Sequence, residues 1–198
     1  KTAPEEQKSS QIWHEIPNTL KADVSILDAI ARRAHQEQDF GLTREAAELG
    51  CKFPDHEIEF KMLIVAADIA EISIAFGNSL VLPTERRDKL NSAMEKLRAL
   101  ELLQKNQLSG PQARSQLQYY IASAARLLDR RTESEFAYRL AIAEWPTNDQ
   151  MRLEFTTFSG AQGRFGEIVD LLSVKEVREN LALQVFLAMA HLDAKDSD

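Results

Sequence analysis

The sequence predicts an all-α chain of antiparallel helical hairpins, and three observations lead there. Apolar residues recur at spacings of three and four along most of the 198 residues, which is the period of a helix with one buried face. Glycine (7) and proline (6) are scarce, whereas an all-β chain needs a turn every few residues. The breaks between periodic stretches are short, which makes consecutive helices antiparallel neighbours. A hydrophobic share of 44% with 28% charged residues belongs to a folded chain able to bury one sizeable core. The alternative architecture is a compact helical bundle.

Residues 1–22 read as a polar N-terminal segment, in which Ile12 and Trp13 can dock on the first helix. Asp23 should cap that helix, whose stripe is Val24, Leu27, Ile30, Ala31 and Ala34. Phe40-Gly41 should break it, Thr43 should cap a short helix reaching Cys51, and Pro54 should close the turn. Asp55 is the expected cap of a helix over 58–76 that is apolar on most faces, so other helices should surround it. Glu59, Lys61, Asp68 and Glu71 interrupt that stretch, and each charge at a bilayer centre costs roughly 2.5–3.5 kcal/mol, so it reads as a buried helix and not a membrane span.

Residues 77–83 read as a loop. Thr84 then opens a long helix with the stripe Leu90, Met94, Leu97, Leu100 and Leu103, ending near Gln107. Pro111 suits a first helical turn, where its missing N–H costs nothing. Three capping boxes follow, Thr132-x-x-Glu135, Thr147-x-x-Gln150 and Ser173-x-x-Glu176, and Gly160 and Gly163 bracket a further break. These signals predict helices over 111–128, 133–145, 148–159, 164–172 and 174–192, with a polar tail over 194–198. The helical domain is expected to run over 23–193.

Residues 115–148 resemble a tetratricopeptide repeat, a helix–turn–helix unit of about 34 residues. With Pro146 at the closing proline, Ala141 falls on a small position, Tyr138 on the large aromatic one and Ser134 on the small one where the paired helices approach most closely. Ala122, Ala125 and Ile121 supply the first helix's contacts. Gln118 stands where a tryptophan or similar bulky residue is expected, and no glycine marks the turn, so the copy is divergent. Residues 149–172 resemble a weaker second unit through Leu153, Phe155, Phe158, Gly163, Phe165 and the Leu171-Leu172 pair. The resemblance implies a right-handed superhelix of stacked hairpins.

Catalytic constellations are missing. The four histidines form no His-x-x-x-His or His-Glu-x-x-His pair, and one cysteine, Cys51, excludes a disulfide framework. His56 and Glu59 could share a helix face, but an acidic first turn favoured by the helix dipole is the simpler account of the Asp55–Glu59 cluster. Cys51 lies at a helix end, where the dipole raises a thiol pKa, so it reads as a packing residue. The glycines at 160, 163 and 166 lack the strand that a dinucleotide site needs. The sequence therefore predicts no enzyme, no metal and no cofactor.

Charge is uneven: residues 61–145 carry 12 Lys/Arg against 10 Asp/Glu, while both flanks are acidic and the whole chain carries −7. Two short basic clusters make no nucleic-acid footprint. A protein or peptide partner is expected instead, and the resemblance implies where it would lie. The groove positions carried over are Gln116, Tyr119, Ser123 and Arg126 in the first unit and Gln150, Leu153 and Thr157 in the second. Tyr119 could stack on a ligand and Arg126 could pair with a carboxylate. Leu183 and Phe186 fall off the main stripe of the last helix, which raises homodimerisation as a second reading. A third is a ligand sensor or enzyme built on helix 58–76, with Asp68 and Glu71 paired by Arg86, Arg87 or Lys89. The non-periodic ends predict a domain of a longer protein, in the cytoplasm or periplasm, with any membrane anchor outside this stretch. Exopolysaccharide-export and secretion components are similar in plan.

Overall fold

The structure is a computed structural model describing residues 9–17, 19–76, 82–107, 110–172 and 180–195. Every regular element among them is helical. In chain order they are α1 (Ser9–Glu15), α2 (Val24–Gln36), α3 (Phe40–Gly50), α4 (Glu57–Phe76), α5 (Thr84–Gln107), α6 (Pro111–Leu127), α7 (Arg131–Glu144), α8 (Asp149–Gly160), α9 (Phe165–Leu172) and α10 (Leu181–Lys195). Short 3-10 turns occupy Leu20–Ala22 and Pro54–His56. No described helix is long and apolar enough to cross a membrane. The chain divides into two compact units, Lys1–Leu108 with Ser123–Asp129, and Ser109–Ala122 with Arg130–Asp198.

In the first unit each helix packs on its successor, α2 on α3, α3 on α4 and α4 on α5, and α2 also reaches α4. Nine residues of α4 are buried, from Ile58 to Ile72, so this helix is the centre of its unit as its all-round apolar pattern predicts. Trp13 docks α1 as expected: it is 3% exposed, donates from Nε1 to Glu45 Oε1 at 3.0 Å, and carries the Lys21 ammonium 4.1 Å above its ring.

The second unit repeats the plan. Within it the first turns of α6 pair with α7, α7 packs on α8, α8 on α9 and α9 on α10, and α10 also reaches α8. The α6–α7 hairpin is pinned reciprocally. Ser115 Oγ donates to Ala141 O at 2.6 Å, and seven residues along each helix Ser134 Oγ donates to Ala122 O at 2.9 Å. Both serines are fully buried, and a hydroxyl reaches the opposite backbone only where small side chains let helices touch. Ser134, Tyr138, Ala141, Ile121, Ala122 and Ala125 are all buried, so the positions that carried the resemblance are packing positions.

One feature recurs at the hairpin turns. Gln38, Asp129 and Gly163 each take positive φ (64°, 56° and 69°), and each stands two residues before the second helix of its pair, α3, α7 and α9. Asp129 and Gly163 are 34 residues apart, the length of one repeat. The missing turn glycine is thus replaced by side chains that tolerate the left-handed region at a small cost.

Several boundaries differ from expectation. Asp39 caps α3, accepting from Leu42 N at 3.0 Å, so Thr43 lies buried inside the helix and donates to Asp39 O. Asp55 sits within a 3-10 turn and α4 starts at Glu57. Leu103 is 52% exposed and leaves the α5 stripe. Two capping boxes are misplaced. Residue 130 precedes α7 with no side-chain cap, leaving Thr132 inside it, and α8 is capped by Asn148, one residue after Thr147. Asn180 caps α10 in the same way, accepting from Leu183 N at 3.2 Å. The Ser173 box lies outside the described residues, as do most of loop 77–83 and the start of the expected helix 174–192.

Two glycines of one helix separate close packing from mere tolerance. A Cβ on Gly50 would sit 2.4 Å from ring carbons of Phe60, which is 1% exposed, whereas one on Gly41 meets only Asp39 Oδ1 at 3.6 Å. In urea denaturation Gly50→Ala is expected to lose about 1–3 kcal/mol through overpacking. Gly41→Ala is expected to be neutral or to gain up to about 1 kcal/mol from helix propensity.

Candidate functional site

The residues expected to line a groove separate into three environments. Tyr119 on α6 and Gln150 on α8 converge on one carboxylate, that of Glu154. Tyr119 donates its hydroxyl to Glu154 Oε1 at 2.6 Å and Gln150 Nε2 donates to the same oxygen at 3.1 Å. Gln116 is half-buried on the same helix as Tyr119. Thr157 is exposed but its hydroxyl donates to Leu153 O at 2.9 Å, and Leu153 turns inward against the cluster of Ile168, Leu172, Leu183 and Ala190. Ser123 and Arg126 belong to the first unit, where Ser123 is buried and Arg126 exposed. Tyr119 is therefore a fixed residue: its ring also lies edge-on to Tyr138 at 6.2 Å. The feature the arrangement presents is Glu154, half-buried with Oε2 unbonded among the described residues, so this face offers an acceptor to a cationic or N–H donor.

Behind that face lies an ordered stack. Tyr138 stacks on Phe155 at 5.6 Å and Phe155 on Phe158 at 6.2 Å. Arg139 and Arg164 cover Phe155 and Phe158, each 5.7 Å from a ring centroid. Both arginines pair with both Glu135 and Glu167, so four charges tie α7 to the start of α9. Burial pushes the Glu135 carboxyl up, but the Arg164 and Arg139 guanidiniums outweigh it and hold it below the ordinary glutamate range.

Arg152 is the residue that sequence reasoning missed. It is 4% exposed, donating from Nε and Nη2 to Pro146 O at 3.0 and 2.9 Å and from Nη1 to Leu171 O at 2.9 Å. A guanidinium here joins the turn after α7 to the last turn of α9, where the α9 dipole favours a cation. Its place beside Met151 in the α8 stripe was the available signal, but an arginine reads as a solvent residue. Glu154 was equally unannounced.

The expected self-association pair is corrected in part. Leu183 is 1% exposed and packs inside its own unit, so it is not a surface residue, and Phe186 is half-buried against the same cluster. Val185, Met189 and Leu192 are the exposed large apolar residues of α10 among the described side chains. The carboxylates of helix 58–76 are also differently partnered. Asp68 and Glu71 pair with Arg44 of α3, Asp68 Oδ1 at 2.9 Å, while Arg86 donates to Ala75 O and Lys89 pairs with Glu85. Among the described residues no cluster of three His, Cys, Asp or Glu could hold a metal ion. Cys51 is half-buried, and its thiol is pushed up by burial first, with Glu57 and Glu48 adding to it against Lys61. The direction matches the sequence reading, with burial and not the helix dipole as the main cause.

Two measurements test these groups. Arg152→Met should cost about 3 kcal/mol in chemical denaturation, because the carbonyls of Pro146 and Leu171 lose buried donors. Glu135 has a folded pKa below its unfolded value, so its stabilisation is complete above the ordinary value of about 4.3 and is lost as pH falls through the lower folded one. Glu135→Gln should therefore flatten the fall of stability with acid, read as denaturation midpoints from about pH 5 to 3.

No protein-family model matches the chain, and no curated protein matches it. Among solved structures the chain is similar to one described as the crystal structure of MamA protein, at 15% identity over 87% of this chain and 88% of that one, with a TM-score of 0.47.

Proposed function

We propose that the protein is a non-catalytic scaffold that holds a partner protein against its paired helices, as a domain of a larger bacterial assembly such as an exopolysaccharide-export or secretion complex. The observation that carries the scaffold reading is the Tyr119–Gln150–Glu154 constellation: three polar side chains on two alternate helices, preorganised around one acceptor oxygen on a tetratricopeptide-like hairpin stack. Fixed rotamers reduce the entropy lost on docking, so such a face favours binding over chemistry. The placement in an export or secretion assembly rests on similarity of plan alone.

A second reading has its own observation. Val185, Met189 and Leu192 recur at i, i+4 and i+7 on α10 and are each more than half exposed, a stripe suited to a second copy of the chain. Light scattering coupled to size exclusion separates the two readings. A monomer supports the scaffold, and a dimer that Met189→Glu dissociates supports self-assembly.

The direct test is co-purification from cells expressing the tagged chain, with one partner recovered in stoichiometric amount and rebuilt from pure components. Glu154→Gln and Tyr119→Phe are expected to weaken that complex about tenfold or more while circular dichroism stays unchanged. An unchanged affinity in both variants removes this face from the interaction.

A further inference from the structure

The first unit holds a cleft of about 490 Å³ lined by α3, α4 and α5, and its charge is unbalanced. Its walls carry Arg44, Arg86, Lys89 and Lys96 against Asp68 and Glu71. The second unit has a cleft of nearly the same volume, about 480 Å³, on the corresponding helices α7, α8 and α9. There Arg139 and Arg152 face Glu167 and Asp170, so the charges cancel. Two clefts of like construction thus differ in sign, and the positive one stands on a chain whose net charge is −7.

The two carboxylates of the positive cleft are already taken by Arg44, one helix back. What remains lies on one face of α5. Arg86 is anchored through Nη1 to Ala75 O at 2.8 Å, and both residues line the cleft. Among the described residues Lys89 has only the exposed partner Glu85, at 3.2 Å and four residues away, a weak surface pair that is easily exchanged. Lys96 has no ion-pair partner among the described residues. Seven residues of helix set Lys89 and Lys96 about 10.5 Å apart, with the Ser92 hydroxyl between them.

We infer that this cleft binds an acidic segment of a partner protein, whose carboxylates meet Arg86, Lys89 and Lys96 along α5. A nucleic acid fits less well: Asp68 and Glu71 sit in the cleft wall, and three cations on one helix neutralise too little of a continuous phosphate backbone. The inference names the partner class for the scaffold reading and rests on it.

The test uses the full chain and a fluorescent alanine-based helical peptide with Glu at i, i+3, i+7 and i+10, beside its all-Gln counterpart. Anisotropy is expected to show binding of the Glu peptide that weakens with salt, little binding of the Gln peptide, and at least about tenfold loss in Lys89→Glu/Lys96→Glu. Lys89→Gln/Lys96→Gln should give a smaller loss in the same direction, with helicity unchanged in both. Equal binding of the Gln peptide, no loss in the charge-reversed chain, or displacement by a single-stranded oligonucleotide more readily than by unlabelled Glu peptide overturns the inference. If the Glu peptide fails here while Glu154→Gln still releases the reconstituted partner, this inference falls and the scaffold reading stands. If both fail, both fall.

Discussion

In the second unit Arg152, 4% exposed, joins the turn after α7 to the last turn of α9, and the neighbouring residues are arranged around the demand its guanidinium makes. Removing an arginine from water costs several kcal/mol even after relaxation. That cost is offset by three hydrogen bonds to two carbonyls, that of Pro146 just past the end of α7 and that of Leu171 in the last turn of α9. The arrangement works only if α7 and α9 end at the same depth, on either side of α8. Arg152 thus sets the stagger of three helices with one side chain. The outer network of Arg139, Arg164, Glu135 and Glu167 ties α7 to α9 a second time, on the Phe155 and Phe158 faces. Because its members are one-quarter to one-half exposed, it is the weaker of the two ties.

Close helix approach is the other constraint, and both units meet it with residues that have little or no side chain. Gly50 leaves room for the Phe60 ring, and Ser115 and Ser134 reach the opposite backbone only because Ala122 and Ala141 are small. A buried serine normally carries a desolvation cost, and here donation to an opposite carbonyl offsets it. These contacts fix register as well as distance, since on each helix the donor serine and the acceptor carbonyl sit seven residues apart. Sliding one helix by a residue would orphan both.

Helix existence and type were legible because they rest on apolar periodicity, which tertiary contacts reinforce. Asp23 as a cap, Pro111 at a first turn and the all-round apolar α4 were all readable from local chemistry. The resemblance also read correctly at Ser134, Tyr138 and Ala141, since it concerns packing volume. Helix starts were less legible, because several residues in a row could cap: Thr147 and Asn148 compete for α8, and Asn148 wins by accepting from Met151 N. The turn signal was hidden for a different reason. Gln38 and Asp129 take the backbone conformation that glycine takes at 163, and no composition rule announces a non-glycine there. The candidate site was the least legible part. Tyr119 and Gln150 were named, and Glu154, which joins them, lies four residues from Gln150 on α8, but only the fold brings that helix alongside Tyr119.

Charge placement distinguishes the two units. In the cleft of α7, α8 and α9 the cations hold the fold together. Arg139 bridges Glu135 and Glu167 over Phe155, and Arg152 closes helix ends. A partner competing for those groups would have to unmake the packing that forms the cleft. In the cleft of α3, α4 and α5 the structural role falls to Arg44, which holds both carboxylates of α4. Lys89 and Lys96 stand apart from that role, and on an acidic chain two such ammonium groups create a local potential of the opposite sign. The same hairpin geometry therefore yields one cleft whose cations hold the fold and one in which that role falls to Arg44.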